Sequence, residues 1–572
     1  MKKLLFFLLL THSLQLKSQE SGITNHSLTY DELIAEYQRL DKQFESASLI
    51  PYGKTDCGES LQLFVISANG INQPKQIHEQ NKIVLFINNG IHPGEPDGMD
   101  ASLRFAKDLL YKEKYRDLLK NVVVCIIPAF NIDGALERNS NSRVNQDGPA
   151  EYGFRGNAKN LDLNRDFIKT DALNTRSLKM ILHQWDPDVF VDTHVSDGAD
   201  YQYTMTLISS QHSKASPPIG TYMKDIFTPS LFNSMKAKND EMTPYVSTLV
   251  EEGVPDSGIV AFLETPRFGS GYVTLLNSFS FITETHMLKP FPERVNSTQR
   301  FLHSLISICD EKKDAIINAR KKAFEYDLDM KTFPLNYEVD LSKKDELLFK
   351  GYECNFEKSK VTTGMRLKYD HKKPYEKVIT FYNYYEPKDS ILIPKYFYVP
   401  QAWENIIRMI DANGVKSTRI TQDSISSATT LYIKDYKTTG SAYEGHYLHY
   451  KTQTESKVEN NKFKKGDYLI DCKQKHIRIL LETLMPSAED SYFNWGFFDS
   501  ILQQKEWFSA YVFEDIAEKL LAENSQLKSD FVKWQSEHPN EDEYSQLYFV
   551  YSHSDYFEKS FKRYPVRLIY SN

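Results

Sequence analysis

The runs "VVVCII", residues 122–127, and "DVFV", residues 188–191, are almost unbroken in apolar side chains. No other feature constrains the chain so much. A strand with one face in water alternates apolar and polar residues, whereas a strand that is apolar on both sides has to be covered on both. These two belong to a series with "LQLFVISA", "KIVLFINN" and "FSFITETHM" between about residues 60 and 290, separated by longer segments of helical period. Strands alternating with helices predict an α/β sheet. One predicted helix buries Leu178, Ile181, Leu182 and Trp185 and leaves Lys179 and Gln184 to solvent. Another opens after "EPDG", with Met99, Leu103, Ala106 and Leu110 as its stripe and Asp97 as its N-cap. In such sheets, sites form where strands end and loops begin.

The composition changes further along. After the charged helical segment Asp310 to Asp327, the chain becomes rich in Tyr, Thr and Lys, with strand-like pieces such as "ITFYNYYEP" and "KYFYVP". A boundary near 325 follows, with residues 28–325 as one domain and 326–572 as an accessory region of unassigned role. The accessory region reads as β-rich until "IRILLETLMPS", after which helix-forming stretches return, giving an α+β character. Within it "EDSYFNWGFFDS", around Trp495, is dense enough in aromatics to form a core or an interdomain contact.

At the N-terminus, "MKKLLFFLLLTHSLQLKSQESG" pairs two lysines with a short apolar run, which predicts a secretory signal over residues 1–18 and an exported protein, periplasmic or secreted. No later stretch reaches the roughly 20 apolar residues of a membrane span. Five cysteines lie far apart with no CxxC, which argues against a sulfur-ligated metal; one disulfide among them stays open. A net charge of -8 with no long block of one sign gives no footprint for nucleic acid.

"NNGIHPGEPDG", residues 88–98, follows "KIVLFI" and holds His92 and Glu95 three residues apart at a strand end. A catalytic metal site needs a third ligand from a distant part of the chain and an open position. His194, closing "DVFVDTH", is the candidate. Between them comes "FRGNAKNLDLNRDF", residues 154–167.

With these motifs in this order, followed by a late glutamate-bearing strand, the chain resembles the zinc carboxypeptidases of the carboxypeptidase A/B and N/E type. The resemblance covers about residues 28–325 and implies their mixed central sheet flanked by helices. It implies a Zn2+ site of His92, Glu95 and His194, with Asp162 holding the His92 ring. It implies that Arg155 steadies the developing oxyanion and that Asn164 and Arg165 grip the terminal carboxylate of a peptide substrate. For the general base two segments offer a carboxylate, "IVAFLETPRF" with Glu264 and "FSFITETHMLKPF" with Glu284; the later one, "TETHMLKP", looks like the family's glutamate strand. Tyr272, in "PRFGSGYVTLLNS", is the nearest candidate for the family's mobile tyrosine.

The chain departs from the usual pattern at Asn160 and at Asp166, where an acid beside Arg165 is expected to weaken its hold on a carboxylate. A zinc amidase or deacylase acting on peptidoglycan stem peptides or other amides is therefore the alternative to a carboxypeptidase. A non-catalytic binding protein of the same fold is the third reading.

Overall fold

The computed structural model describes residues 22–250 and 252–571; the segment read as a secretory signal lies outside them. The strands in chain order begin with β1 (Ala47–Lys54), β2 (Ser60–Ile66), β3 (Ile83–Asn88), β4 (Val122–Ile127), β5 (Val189–Ser196), β6 (Met205–Ser209), β7 (Thr243–Pro244), β8 (Ile259–Val260) and β9 (Phe279–His286). All but β8 form one mixed sheet of order β1-β2-β4-β3-β5-β9-β6-β7. Its centre, β4-β3-β5-β9, is parallel; β2 and β6 join it antiparallel, β1 pairs antiparallel with β2, and the short β7 pairs in parallel with β6.

The two-sided burial expected of "VVVCII" and "DVFV" has its cause in two cores. Leu85, Ile87, Val122 and Val124 face one core with Leu103 and Leu109 of helix Asp97–Tyr111 and Phe301 and Leu305 of helix Phe291–Glu311. Val84, Phe86, Val123 and Phe190 face the other with Leu178, Ile181 and Trp185 of helix Leu173–Trp185. Adjacent residues divide between the two cores because successive side chains of a strand point to opposite faces.

Two local expectations are corrected. Asp97 is the first residue of its helix and Pro96 is the N-cap. The Asp97 carboxylate instead pairs with buried Arg294 at 2.8 Å and accepts the Thr285 hydroxyl at 2.7 Å, so it ties the helix to β9. Lys179 is buried, because the C-terminal region covers that face of its helix; its ammonium donates to Asn413 Oδ1 at 2.8 Å.

The C-terminal region is β-rich as read. It holds β10 (Thr332–Val339) with β13 (Tyr385–Leu392), and the long hairpin β11 (Asp345–Lys358) and β12 (Met365–Tyr382). A six-stranded sheet of order β15-β18-β14-β19-β16-β17 follows, built from β14 (Tyr396–Val399), β15 (Thr418–Arg419), β16 (Ser424–Thr438), β17 (His449–Phe463), β18 (Tyr468–Asp471) and β19 (Arg563–Ile569). Helices Ala510–Glu523, Ser525–Glu537 and Glu543–Ser552 form a small cluster before β19.

The two halves share structure. The boundary expected near 325 falls within helix Lys313–Asp329, and β8 pairs in parallel with β12. Leu448, Ile479 and Trp495 lie in the same buried cluster as Phe86, Phe167 and Tyr272. The aromatic segment around Trp495 is thus core. Cys57, Cys125, Cys309 and Cys472 form no disulfide. Among the described residues no helix is long and apolar enough to cross a membrane.

Candidate metal centre

The parallel strands β3, β5 and β9 are neighbours, and their C-terminal ends gather the site. His92 and Glu95 follow β3, while His194 on β5 and Glu284 on β9 are register partners. Gly98 explains part of the motif "HPGEPDG": a Cβ there would stand 1.9 Å from Thr193 Oγ1, so glycine lets the helix start sit against β5 beside His194.

The His92, Glu95 and His194 donor atoms lie within 4.8 Å of one another, and all three residues are buried. His92 Nδ1 is 3.2 Å from Glu95 Oε1, and His194 Nδ1 is 3.1 Å from Glu95 Oε2. Each ring turns its other nitrogen to a carboxylate. His92 Nε2 is 2.9 Å from Asp162 Oδ1, and His194 Nε2 is 3.1 Å from Asp192 Oδ2. For His92 this is how a ligand imidazole is oriented, with the far nitrogen held and the near one presented, whereas His194 Nε2 stands at ion-pair distance from Asp192 without a hydrogen bond among the described residues. The buried His92 Nδ1 has no hydrogen-bond partner among the described residues, and the set of two imidazoles and a carboxylate is one that zinc takes. The residues fit the metal.

The charges around the site are densely compensated. Burial would raise the Glu95 carboxyl, but His92, Arg143 and His194 reverse this and hold it well below the usual range. The same holds for Asp162, which His92, Arg155 and Arg165 keep ionised against burial. Its Oδ1 also accepts the Asn164 amide at 2.8 Å, and its Oδ2 lies 2.8 Å from Arg155 Nη2. Glu284 differs: burial pushes its carboxyl up to about 8.

A pocket of about 410 Å³ opens onto these groups, lined by His92, Glu95, Arg143, Arg155, Asn164, Arg165, His194 and Glu284 together with an apolar wall that includes Ile208, Phe262, Phe268 and Ile282. Arg165 lies over the Phe268 ring at 4.4 Å, and Asn164 is fixed by accepting the Gly269 amide at 3.0 Å.

The zinc carboxypeptidase family matches residues 33–206. The chain carries a zinc carboxypeptidase family domain. Among curated relatives, "Carboxypeptidase 2" of Trichophyton tonsurans is 21% identical over 496 residues, covering 82% of this chain and 84% of its own. "Carboxypeptidase 2" of Trichophyton rubrum is 20% identical, covering 77% and 79%. Both alignments are too long to be confined to the first half of the chain. Among solved structures, a metallo-carboxypeptidase from Burkholderia cenocepacia has 16% identity, covers 50% of this chain and 70% of its own, and gives a TM-score of 0.38. Carboxypeptidase A from Helicoverpa armigera has 15% identity, covers 52% and 74%, and gives 0.36.

Tyr272, beyond the zinc carboxypeptidase match, is the one site residue that the structure places elsewhere. It is fully buried in the core, and its hydroxyl lies 2.9 Å from both His183 Nε2 and Asn413 Oδ1. A ring locked in the core on both sides cannot close over a substrate. Tyr245 lines the pocket instead. It lies just past β7, in a stretch with no strand-like pattern, so nothing in the sequence marked it. Asp192 and Arg143 were also missed. Asp192 was legible, since two residues before His194 on a strand means the same face. Arg143, whose Nη1 donates to Glu95 Oε1 at 2.9 Å, lies in an irregular loop and gave no signal.

Glu264 lies outside the pocket, in the loop after β8 rather than on a strand. It is buried, its Oε2 accepts the Gln211 amide at 3.3 Å, and burial pushes its carboxyl up to about 7 from 4.5. The fold therefore holds a proton there that the unfolded chain releases earlier, so stability falls as pH rises from about 4.5 to about 7. Glu264→Gln is expected to stabilise the protein by about 3 kcal/mol at pH 8, at ~1.4 kcal/mol per pKa unit, and to change little at pH 4. Urea unfolding at the two pH values measures this, and equal stability of both proteins at pH 8 would contradict it.

Proposed function

We propose that the protein is an exported zinc metallocarboxypeptidase that removes C-terminal residues from peptides. The observation that carries this reading is the gathering of the His92, Glu95 and His194 cluster, Arg155, the Asn164–Arg165 pair and Glu284 around one pocket. Export rests on the apolar segment behind Lys2 and Lys3.

When bound, zinc supplies the Lewis acidity that activates water and polarises the scissile carbonyl. The chain's own groups do the rest. Glu284 takes the proton of the attacking water and delivers it to the leaving amine; burial, which favours its neutral form, makes that delivery easy. Arg155 offers a fixed cation to the developing oxyanion. Arg165 offers a planar fork to the substrate's terminal carboxylate, with Asn164 beside it. The released side chain meets the apolar wall of Ile208, Phe262, Phe268 and Ile282.

Asp166 does not neutralise Arg165 as its position in sequence suggested. Its carboxylate is taken by Lys169 Nζ at 2.7 Å and by the amides of Asp171 and Ala172. This favours the carboxypeptidase over the amidase or deacylase.

Peptides with free and amidated C-termini, digested with and without a chelator and read by mass spectrometry, test the reading. The free acids are expected to lose their C-terminal residues in a zinc-dependent way, while the amides resist. Arg165→Ala is expected to raise KM for the free acids about 10- to 100-fold, the value of a hydrogen bond to a charged group. Equal cleavage of amides by the native protein would turn the assignment to the amidase.

A further inference from the structure

The turn Tyr443–His446 belongs to the C-terminal region, in the connection between β16 and β17, yet it ends at the substrate-binding loop. Tyr443 and His446 exchange backbone hydrogen bonds of 2.7 and 3.0 Å, and the two residues between them, Glu444 and Gly445, have φ of +49° and +80°. In a two-residue hairpin loop with both centres left-handed, Asn-Gly or Asp-Gly is the ordinary choice, because short polar side chains tolerate that backbone. Glutamate has no such local advantage. What it has is reach: Glu444 Oε2 accepts the Asp162 backbone N–H at 2.7 Å, across 282 residues of sequence.

Its neighbours do the same. Arg165 Nε donates to the Tyr443 hydroxyl at 3.1 Å, and His446 Nε2 is 2.7 Å from Asp171 Oδ2. One turn thus grips the stretch 162–171 at three points. That stretch carries Asp162, Asn164 and Arg165.

We infer that the Tyr443–His446 turn is a positioning element for this loop, with Tyr443 orienting Arg165 and Glu444 anchoring Asp162; the role of Arg165 rests on the carboxypeptidase reading. A guanidinium has five N–H donors. Here Nε goes to Tyr443 and one proton of Nη1 to the Asn164 carbonyl at 2.9 Å, with the Phe268 ring against the plane. The terminal nitrogens keep the remaining donors, with Nη1 3.9 Å from Asp162 Oδ2, and these form the end-on fork that a carboxylate matches. Tyr443 is in turn fixed by the C-terminal region. It stacks on buried Trp495 at 6.1 Å, and Arg267, tied to Asp490 at 2.7 Å, lies over both rings. Glu444 also lines a cavity of about 330 Å³ together with Arg143, Arg155 and Asn160.

The test uses the full chain. In Tyr443→Phe, KM for a peptide with a free C-terminus is expected to rise up to about tenfold, the worth of one net hydrogen bond, with kcat little changed and any amide cleavage unaffected. In Glu444→Ala, amide hydrogen exchange over residues 160–166 is expected to quicken about tenfold at unchanged zinc content, and Glu444→Gln, which keeps an acceptor, is expected to restore most of the protection. Unchanged exchange in Glu444→Ala, or an equal fall in kcat for all peptides in Tyr443→Phe, would overturn the inference. If the native protein cleaves neither peptide, the carboxypeptidase reading fails, and the exchange data still decide whether the turn holds the loop.

Discussion

Glu284→Gln is expected to lower kcat by about three orders of magnitude while the protein keeps its zinc, within the ~10²–10⁴ that a positioned general acid–base contributes. The expectation comes from where the side chain stands. Glu284 is the register partner of His194 on the adjacent parallel strand, so both side chains leave the sheet on the same face. It lines the pocket without being one of the three clustered donors. Glutamine keeps the shape and the hydrogen-bonding capacity but can neither take a proton from water nor return one to an amine. Metal content by mass spectrometry and single-turnover rates on a free-acid peptide separate the two roles. Retained turnover with zinc in place would remove Glu284 from the mechanism, and loss of the metal would make it a ligand.

Ending the chain at residue 325 is expected to give an insoluble product without cooperative unfolding, rather than a smaller enzyme. Leu448, Ile479 and Trp495 are part of the core that also contains Phe167 and Tyr272, so their removal exposes a contiguous apolar patch. The loss extends beyond apolar contact. Lys179 loses Asn413, Arg267 loses Asp490, and β8 loses its pairing with β12. Domains are stable by only about 5–15 kcal/mol, and burying one large apolar side chain contributes roughly 1.5–3 kcal/mol, so a handful of such losses exhausts the margin. The full chain should accordingly unfold with both halves in one calorimetric transition. A soluble fragment that binds zinc and keeps its near-ultraviolet circular dichroism would show that the first half folds alone.

The sequence made the sheet legible where its physics is local. Five of the strands of the central sheet, β2, β3, β4, β5 and β9, coincide with the apolar runs, because a strand buried on both faces has little freedom in composition. The cluster of His92, Glu95 and His194 was legible for a related reason: ligands at strand ends follow the strands. What stayed hidden depends on partners far away in the chain. Lys179 reads as a solvent residue until Asn413 arrives, and Tyr272 reads as a loop residue until His183 and Asn413 close around it. Arg143 and Tyr245 sit in irregular segments whose course is fixed by tertiary contacts alone. Glu444 is the extreme case, since no local pattern in the C-terminal region announces a partner in the first half.

The order of strands in the C-terminal sheet has a consequence in time. β19 lies between β14 and β16, and β16 leads directly into the turn that grips the substrate loop. His92, Glu95 and His194 are all made within the first 194 residues, but that sheet cannot close before Arg563–Ile569 are made. The hold of the Tyr443–His446 turn on residues 162–171 would therefore be the last part of the site to mature. A chain released before residue 563 would carry His92, Glu95 and His194 in its sequence and still lack the sheet from which the Tyr443–His446 turn reaches residues 162–171.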